Sequence, residues 1–303
     1  MTRRRWTPLV VLLALAPATA LSWRVLDAPP SAEPGVVADQ GRPPDQPNAR
    51  FFADGAQFAV ECGLVRQAEV DPIVHPGVSA AGHLHDFFGS HAVSAASRGP
   101  DLVGTETSCR APADTASYWA PALVIDGAVV QPSATIAYYR VAPGVDPLTI
   151  EPYPLGLAAV AGRADATTPQ DPAIVGFGCG RATVVAPVPP ACPEPSPLNL
   201  RVTFPDCWDG EHLDSDDHRA HLHYSGSQGC PSSHPVAMPR LTLVIHYPVT
   251  GPVDDARLSS GPPLSAHADL LNGWEPAALE REVRSCLHRE VVCAIPDPDR
   301  PGH

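Results

Sequence analysis

Eight cysteines, at positions 62, 109, 179, 192, 207, 230, 286 and 293, constrain this 303-residue chain more than any other feature. All lie downstream of a segment laid out as an export signal: Arg3, Arg4 and Arg5, an apolar run from Leu9 to Leu15, and the small-residue site Ala18-Thr19-Ala20. An even number of cysteines in an oxidising compartment reads as a framework of up to four disulfides. The short separations make Cys286 with Cys293, Cys207 with Cys230, and Cys179 with Cys192 the first expected pairs. No pair shows the C-x-x-C spacing of a zinc ribbon or redox site. The expected organisation is a signal peptide over residues 1–20, a disordered Pro-rich linker over 21–50, one domain over 51–295 and a loose tail over 296–303. Pro17 and the Ala-x-Ala site favour cleavage over an uncleaved anchor, so the mature protein is expected to be secreted, with no stable membrane span.

The formal charge is −13, and the leader carries three arginines and no acid, so cleavage makes the chain more acidic still. The chain contains no lysine. Such a balance argues against nucleic acid as a partner, because phosphate binding is driven by clustered Lys and Arg. Between residues 51 and 293 the clearest elements are short β segments cut by Pro and Gly: 56–62, 117–126, 135–142, 198–204 and 240–249. Asp126-Gly127 between two apolar triplets is a hairpin signal. Only residues 275–287 carry a helical pattern, with Pro276 placed where a first turn tolerates it. The expected fold is mainly β: a sandwich or jelly-roll-like body with long loops and one C-terminal helix, linked by disulfides.

Three stretches gather histidine with acids. The first, HPGVSAAGHLHDFFG, offers His83, His85 and Asp86, bracketed by Gly82 and Gly89. On a strand His83 and His85 share one face, as two ligands of one ion must. The second, CWDGEHLDSDDHRAHLHY, offers Asp217, His218, His221 and His223. Its acids lack the alternating spacing and glycine of an EF-hand loop, so they read as a solvated, charge-rich loop rather than a calcium site. The third, LSAHADLLNGW, adds His267 and Asp269. The expected metal ligands are His83, His85, His218, His221 and His267, with zinc or copper as the ion. His85, Asp86, Asp217, His218 and Asp269 are the expected catalytic groups. The competing reading is that these side chains only tie long loops together by hydrogen bonds. The spacings of cupins and metallo-β-lactamases are missing, as is the Gly-x-Ser-x-Gly of nucleophile-elbow hydrolases.

Taken together, residues 71–89, 107–123, 136–140, 204–224, 229–247 and 264–287 resemble one secreted family, the DUF1996 domain of unknown function, which in fungi often accompanies WSC carbohydrate-binding modules. CWDG followed by LDSxDHxxH is the most specific block. The resemblance implies an extracellular, disulfide-linked domain working near polysaccharide, and no established activity. It also implies that Asp114, Tyr118, Trp119, Asp209, Asp214 and His234 belong with the His and Asp residues above. Asp86-Phe87-Phe88-Gly89 departs from the Gln-Ile-x-Gly-Gly usual in fungal members, and the sequence shown has no WSC module. Two functions are therefore carried forward. One is a metal-assisted or acid/base hydrolase or lyase acting on an extracellular polysaccharide; the other is a non-catalytic carbohydrate-binding or structural cell-surface module.

Overall fold

The computed structural model describes residues 56–80 and 82–293; the expected signal peptide, linker and tail lie outside them. Short runs of β-branched and aromatic residues separated by Pro and Gly favour many brief antiparallel strands. Ten of these form two five-stranded sheets. We number them β1 (Gln57–Cys62), β2 (Leu64–Ala68), β3 (His85–Gly89), β4 (Ser117–Pro121), β5 (Ala134–Arg140), β6 (Ala158–Gly162), β7 (Val175–Cys179), β8 (Leu198–Thr203), β9 (Arg240–His246) and β10 (His267–Leu271). The first sheet runs β1-β5-β9-β8-β7 and the second β2-β3-β4-β10-β6, with antiparallel pairing throughout. Strand alternation then settles which residues meet. Phe58, Tyr139, Leu243 and Leu200 of the first sheet join Phe88, Tyr118, Ala159 and Leu270 of the second in one core, so the body is a β-sandwich.

The apolar segment 117–126 divides into β4 and a short strand, Leu123–Ile125, which pairs with Ala128–Val130 across Asp126-Gly127. Both turn residues have positive φ, 51° and 77°, as a type I′ hairpin demands. The late helix is α1 (Pro276–Glu282); Glu275 caps it by accepting from the amides of Ala277 and Ala278. The helical path continues as one π turn, Val283–Leu287. No helix among the described residues is long and apolar enough to cross a membrane. All eight cysteines are paired: the three expected bridges are present, and Cys62–Cys109 completes the set.

A polar chain runs through the core. Trp274 Nε1 donates to the Tyr139 hydroxyl at 3.1 Å, Tyr139 and Tyr118 meet at 2.6 Å, and the Tyr118 hydroxyl bonds both Asp114 oxygens at 2.9 and 3.0 Å. Burial pushes the Asp114 carboxyl from 3.8 up to about 8, against the lowering effect of the Tyr118 and Ala116 hydrogen bonds. Between those values the folded chain keeps a proton that the unfolded chain releases, so this group's stabilisation is lost as pH rises through that window. Asp86, pushed up to about 6 by burial, acts with the same sign. Urea unfolding should therefore show stability falling from pH 7 to pH 8, above the range in which imidazoles titrate, with Asp114 contributing about 1 kcal/mol. Asp114→Asn should flatten the decline; an unchanged slope would refute the assignment.

Candidate metal centre

The histidine cluster lies on the outer face of the second sheet, the side turned away from the other sheet. Alternation along β10 puts His267 and Asp269 on that face, and along β3 it puts His85 and Phe87 there. The central strand β4 presents Trp119 and Pro121 between them. Trp119 lies in register with both Phe87 and Asp269, and Pro121 lies in register with His85. Strands two apart in a sheet are separated by roughly 9.5 Å. Pro121 offers only a compact ring at that level, and the His85 and His267 imidazoles close to 6.0 Å between ring centres. His83 precedes β3 by two residues, with its ring 4.3 Å from His85 and 5.1 Å from His267. Gly82 before it and Gly89 at the end of β3 both hold positive φ. A Cβ on Gly89 would sit 2.1 Å from the Ala116 carbonyl, so β3 can lie this close to the segment leading into β4 only with glycine there.

Ligand-capable atoms of His83, His85 and His267 all lie within 4.8 Å of one another, and so do those of Asp71, His85 and Asp269. The His85 Nδ1 lies 3.0 Å from the Val70 carbonyl and the His267 Nδ1 lies 2.8 Å from the Ser265 carbonyl. A carbonyl accepts only, so both rings carry their proton on Nδ1 and turn an Nε2 lone pair inward, the arrangement by which outer hydrogen bonds orient metal-binding imidazoles. The two sets overlap at His85, whose Nε2 has a single lone pair and can serve one ion at a time. His267 Nε2 and His83 Nε2 are 3.2 Å apart. Two nitrogens bound to one tetrahedral zinc at about 2.0–2.1 Å would be roughly 3.3 Å apart.

The unsatisfied atoms point the same way. His85 Nε2, both oxygens of Asp269 and Trp119 Nε1 are buried without a hydrogen-bond partner. Each such atom ordinarily costs about 1–3 kcal/mol, and several concentrated at one spot call for an ion or water there. Burial, reinforced by Asp71, raises the Asp269 carboxyl well above its ordinary value, while Arg219 opposes the rise. Burial lowers His267 to about 4 and holds His83 below its usual value; His85 falls well below, through burial and then the neighbouring imidazoles. Uncharged imidazoles beside buried carboxylates are a suitable donor set for a dication. With every cysteine in a disulfide, the donors are nitrogen and oxygen only.

The remaining expected residues lie elsewhere. Asp86 faces the inner side of β3, where Oδ1 accepts from Gln67 at 2.7 Å. Asp217 accepts from the amides of Arg219 and Ala220 and from the Ser215 hydroxyl, which lower its carboxyl to about 2; it shapes a turn. His218, at positive φ, is held by Asp214 at 3.0 Å. His221 is buried, with Nε2 donating to the Ala158 carbonyl at 2.8 Å and Nδ1 2.9 Å from the Ser215 hydroxyl. His223 is exposed. Of the five expected ligands the structure brings together three, and it adds Asp71. That residue lacks the His-x-His type of spacing, and its only sequence signal is the turn-forming Asp-Pro step. Its Oδ1 accepts from the Ile73 and Val74 amides at 3.0 and 2.9 Å, which folds the 71–75 turn against the cluster.

The acid-rich loop has a different task. In its sheet β6 is an edge strand paired only with β10, so alternate backbone groups face outward. His221 donates to the Ala158 carbonyl, Arg219 to those of Val160 (3.4 Å) and Gly162 (2.7 Å), and the Ala158 amide donates to the Leu213 carbonyl. Side chains thus close an edge that would otherwise be open to pairing. His221→Ala should destabilise the protein by about 1–3 kcal/mol, the cost of a buried carbonyl left unpaired, as read by urea unfolding. Its metal content should be unchanged; loss of metal would return His221 to the centre.

Fold and site together define a disulfide-linked antiparallel β-sandwich with one buried histidine–carboxylate cluster on the outer face of a sheet. The family model described as "Domain of unknown function (DUF1996)" matches residues 71–274, and the chain belongs to that family. The match spans all five donors. No curated protein and no solved structure is significantly similar to the chain.

Proposed function

We propose that this is a secreted, metal-dependent hydrolase of an extracellular polysaccharide, with its ion held by His83, His85 and His267 and completed by Asp71 or Asp269. One observation carries the reading: three imidazoles converge, two of them with Nδ1 tied to backbone carbonyls and Nε2 turned into the shared space. Zinc there would supply Lewis acidity and an activated water. The chain's own contribution is orientation and exclusion of water. His85 and His267 are locked and buried, Trp119 and Phe87 wall the site, and Asp269 is placed to accept a proton or complete the ligand set. His83 is half-buried and adjoins the exposed 74–80 segment, which makes it the side on which a substrate arrives. Export is supported by the four disulfides and the leader, and the polysaccharide by the company the family keeps. Elemental analysis of protein purified without a histidine tag should find about one zinc per chain, and a polysaccharide-hydrolysis screen should lose its signal in His85→Ala. Metal-free wild type, or full activity in the variant, would refute the proposal.

Deep burial favours a second reading, in which five protein donors saturate the ion and the centre is structural. The cobalt-substituted protein separates the two: azide should change its visible spectrum if a position is open and leave it unchanged if the shell is closed.

A further inference from the structure

The two donor sets that overlap at His85 differ in chemistry, in burial and in hydrogen bonding. One is all nitrogen: His83, His85 and His267. The other pairs one nitrogen with two carboxylates: Asp71, His85 and Asp269. His83 leaves the first set half-buried on one side, whereas all three members of the second are buried. With the His267 proton on Nδ1, its Nε2 accepts, and the 3.2 Å contact makes His83 Nε2 the donor. That pair satisfies itself. Of the ligand-capable atoms in these five residues, those buried without a partner are His85 Nε2 and both Asp269 oxygens, and all three belong to the carboxylate-bearing set. Asp71 joins them from the 71–75 turn, where the Ile73 and Val74 amides fix its carboxylate.

Charge decides what each set can hold. A dication among three neutral imidazoles keeps its full charge, which is tolerable where His83 opens the site toward solvent and costly in a closed interior. Asp71 and Asp269 together offset two positive charges, so the buried set can take a dication with no net charge left over. Imidazole donors suit zinc and copper, while carboxylates suit manganese, magnesium and calcium.

We propose that the cluster holds one ion in either of two mutually exclusive positions: zinc at His83, His85 and His267, or a hard dication of the manganese class at Asp71, His85 and Asp269. The single lone pair of His85 Nε2 makes them exclusive, since an ion in one position takes the donor that the other needs. This rests on the reading that the cluster binds an ion, and adds that the chemistry of the ion selects its ligands. The test loads metal-stripped protein with Mn2+ alone, with Zn2+ alone and with both, following manganese by electron paramagnetic resonance and zinc by equilibrium dialysis. Wild type is compared with Asp269→Asn, Asp71→Asn and His83→Ala. Asparagine keeps the shape of each acid and, at position 71, still offers an oxygen to the Ile73 and Val74 amides; His83 is only half-buried, so its removal spares the core. Wild type should bind one Mn2+ per chain and release it as zinc is added. The two asparagine variants should lose about 10-fold or more in manganese affinity beyond any loss for zinc, and His83→Ala should show the reverse. Zinc bound without manganese overturns the inference and leaves the hydrolase reading standing; neither ion bound overturns both. Manganese loss of equal size in His83→Ala and Asp269→Asn, or zinc and manganese held together in one chain, also overturns it.

Discussion

His267→Ala should strip the protein of its ion, while His218→Ala should leave it loaded. Replacing groups that merely orient a ligand typically lowers affinity about 10–100-fold, so removing one of three convergent imidazoles should lower it by more than about 100-fold. Metal bound after dialysis against a weak chelator should fall to near background in His267→Ala, with hydrolytic activity lost in parallel. His218 differs in its partner: its Nδ1 is committed to Asp214, outside the group in which His83, His85 and His267 meet. Asp269→Asn is the finer probe, keeping the shape while removing the charge. If Asp269 completes the ligand set, its variant should bind metal more weakly; if it accepts a proton, the variant should keep the metal and lose activity. Equal metal loss in the His267 and His218 variants would mean that the five histidines form a larger centre than the geometry describes.

Cys62→Ala with Cys109→Ala should be the most destabilising disulfide removal, at about 4 kcal/mol by loop-closure entropy for a separation of 47 residues. Removing Cys286–Cys293, with a separation of 7, should cost roughly 2 kcal/mol on the same basis. Position reinforces the difference. Cys62 ends β1 in one sheet, and Gly63 leads directly into β2 of the other, so the bridge clamps the corner where the chain changes sheets. The Cys109 side of that corner is also bound by the Ser108 hydroxyl donating to the Gly63 carbonyl at 2.7 Å. Urea unfolding of the two double variants decides the order; a smaller loss for the Cys62–Cys109 pair would show that the short C-terminal bridge carries the greater load.

The legible strands share a property. Segments 57–62, 134–140, 198–203 and 240–246 of the first sheet, and 117–121 of the second, carry β-branched or aromatic side chains. The rest of the second sheet is harder to read because its strands depart from that pattern: Ala158–Gly162 is four small residues with one valine, and His267–Leu271 and His85–Gly89 begin with the polar residues of the cluster. Burial under loops on the outer face replaces the usual apolar-in, polar-out alternation. His83, His85, His267 and Asp269 are visible as two-residue spacings, since a period of two needs no tertiary information. Asp71 and Arg219 are not, because one acts through a local turn and the other through an edge that exists only once β6 is placed.

Local chemistry along the chain was enough to anticipate a mainly β, disulfide-linked body, the three short-range cysteine pairs as first choices, the late helix and the histidine-bearing stretches. Each of these depends on residue type and near spacing. Strand order alone assigned CWDGEHLDSDDHRAHLHY to the edge of β6 and brought HLHD and HAD together across β4. Which imidazoles meet is a matter of convergence between segments more than 180 residues apart in the chain, such as His83 and His267, and no local pattern records that distance.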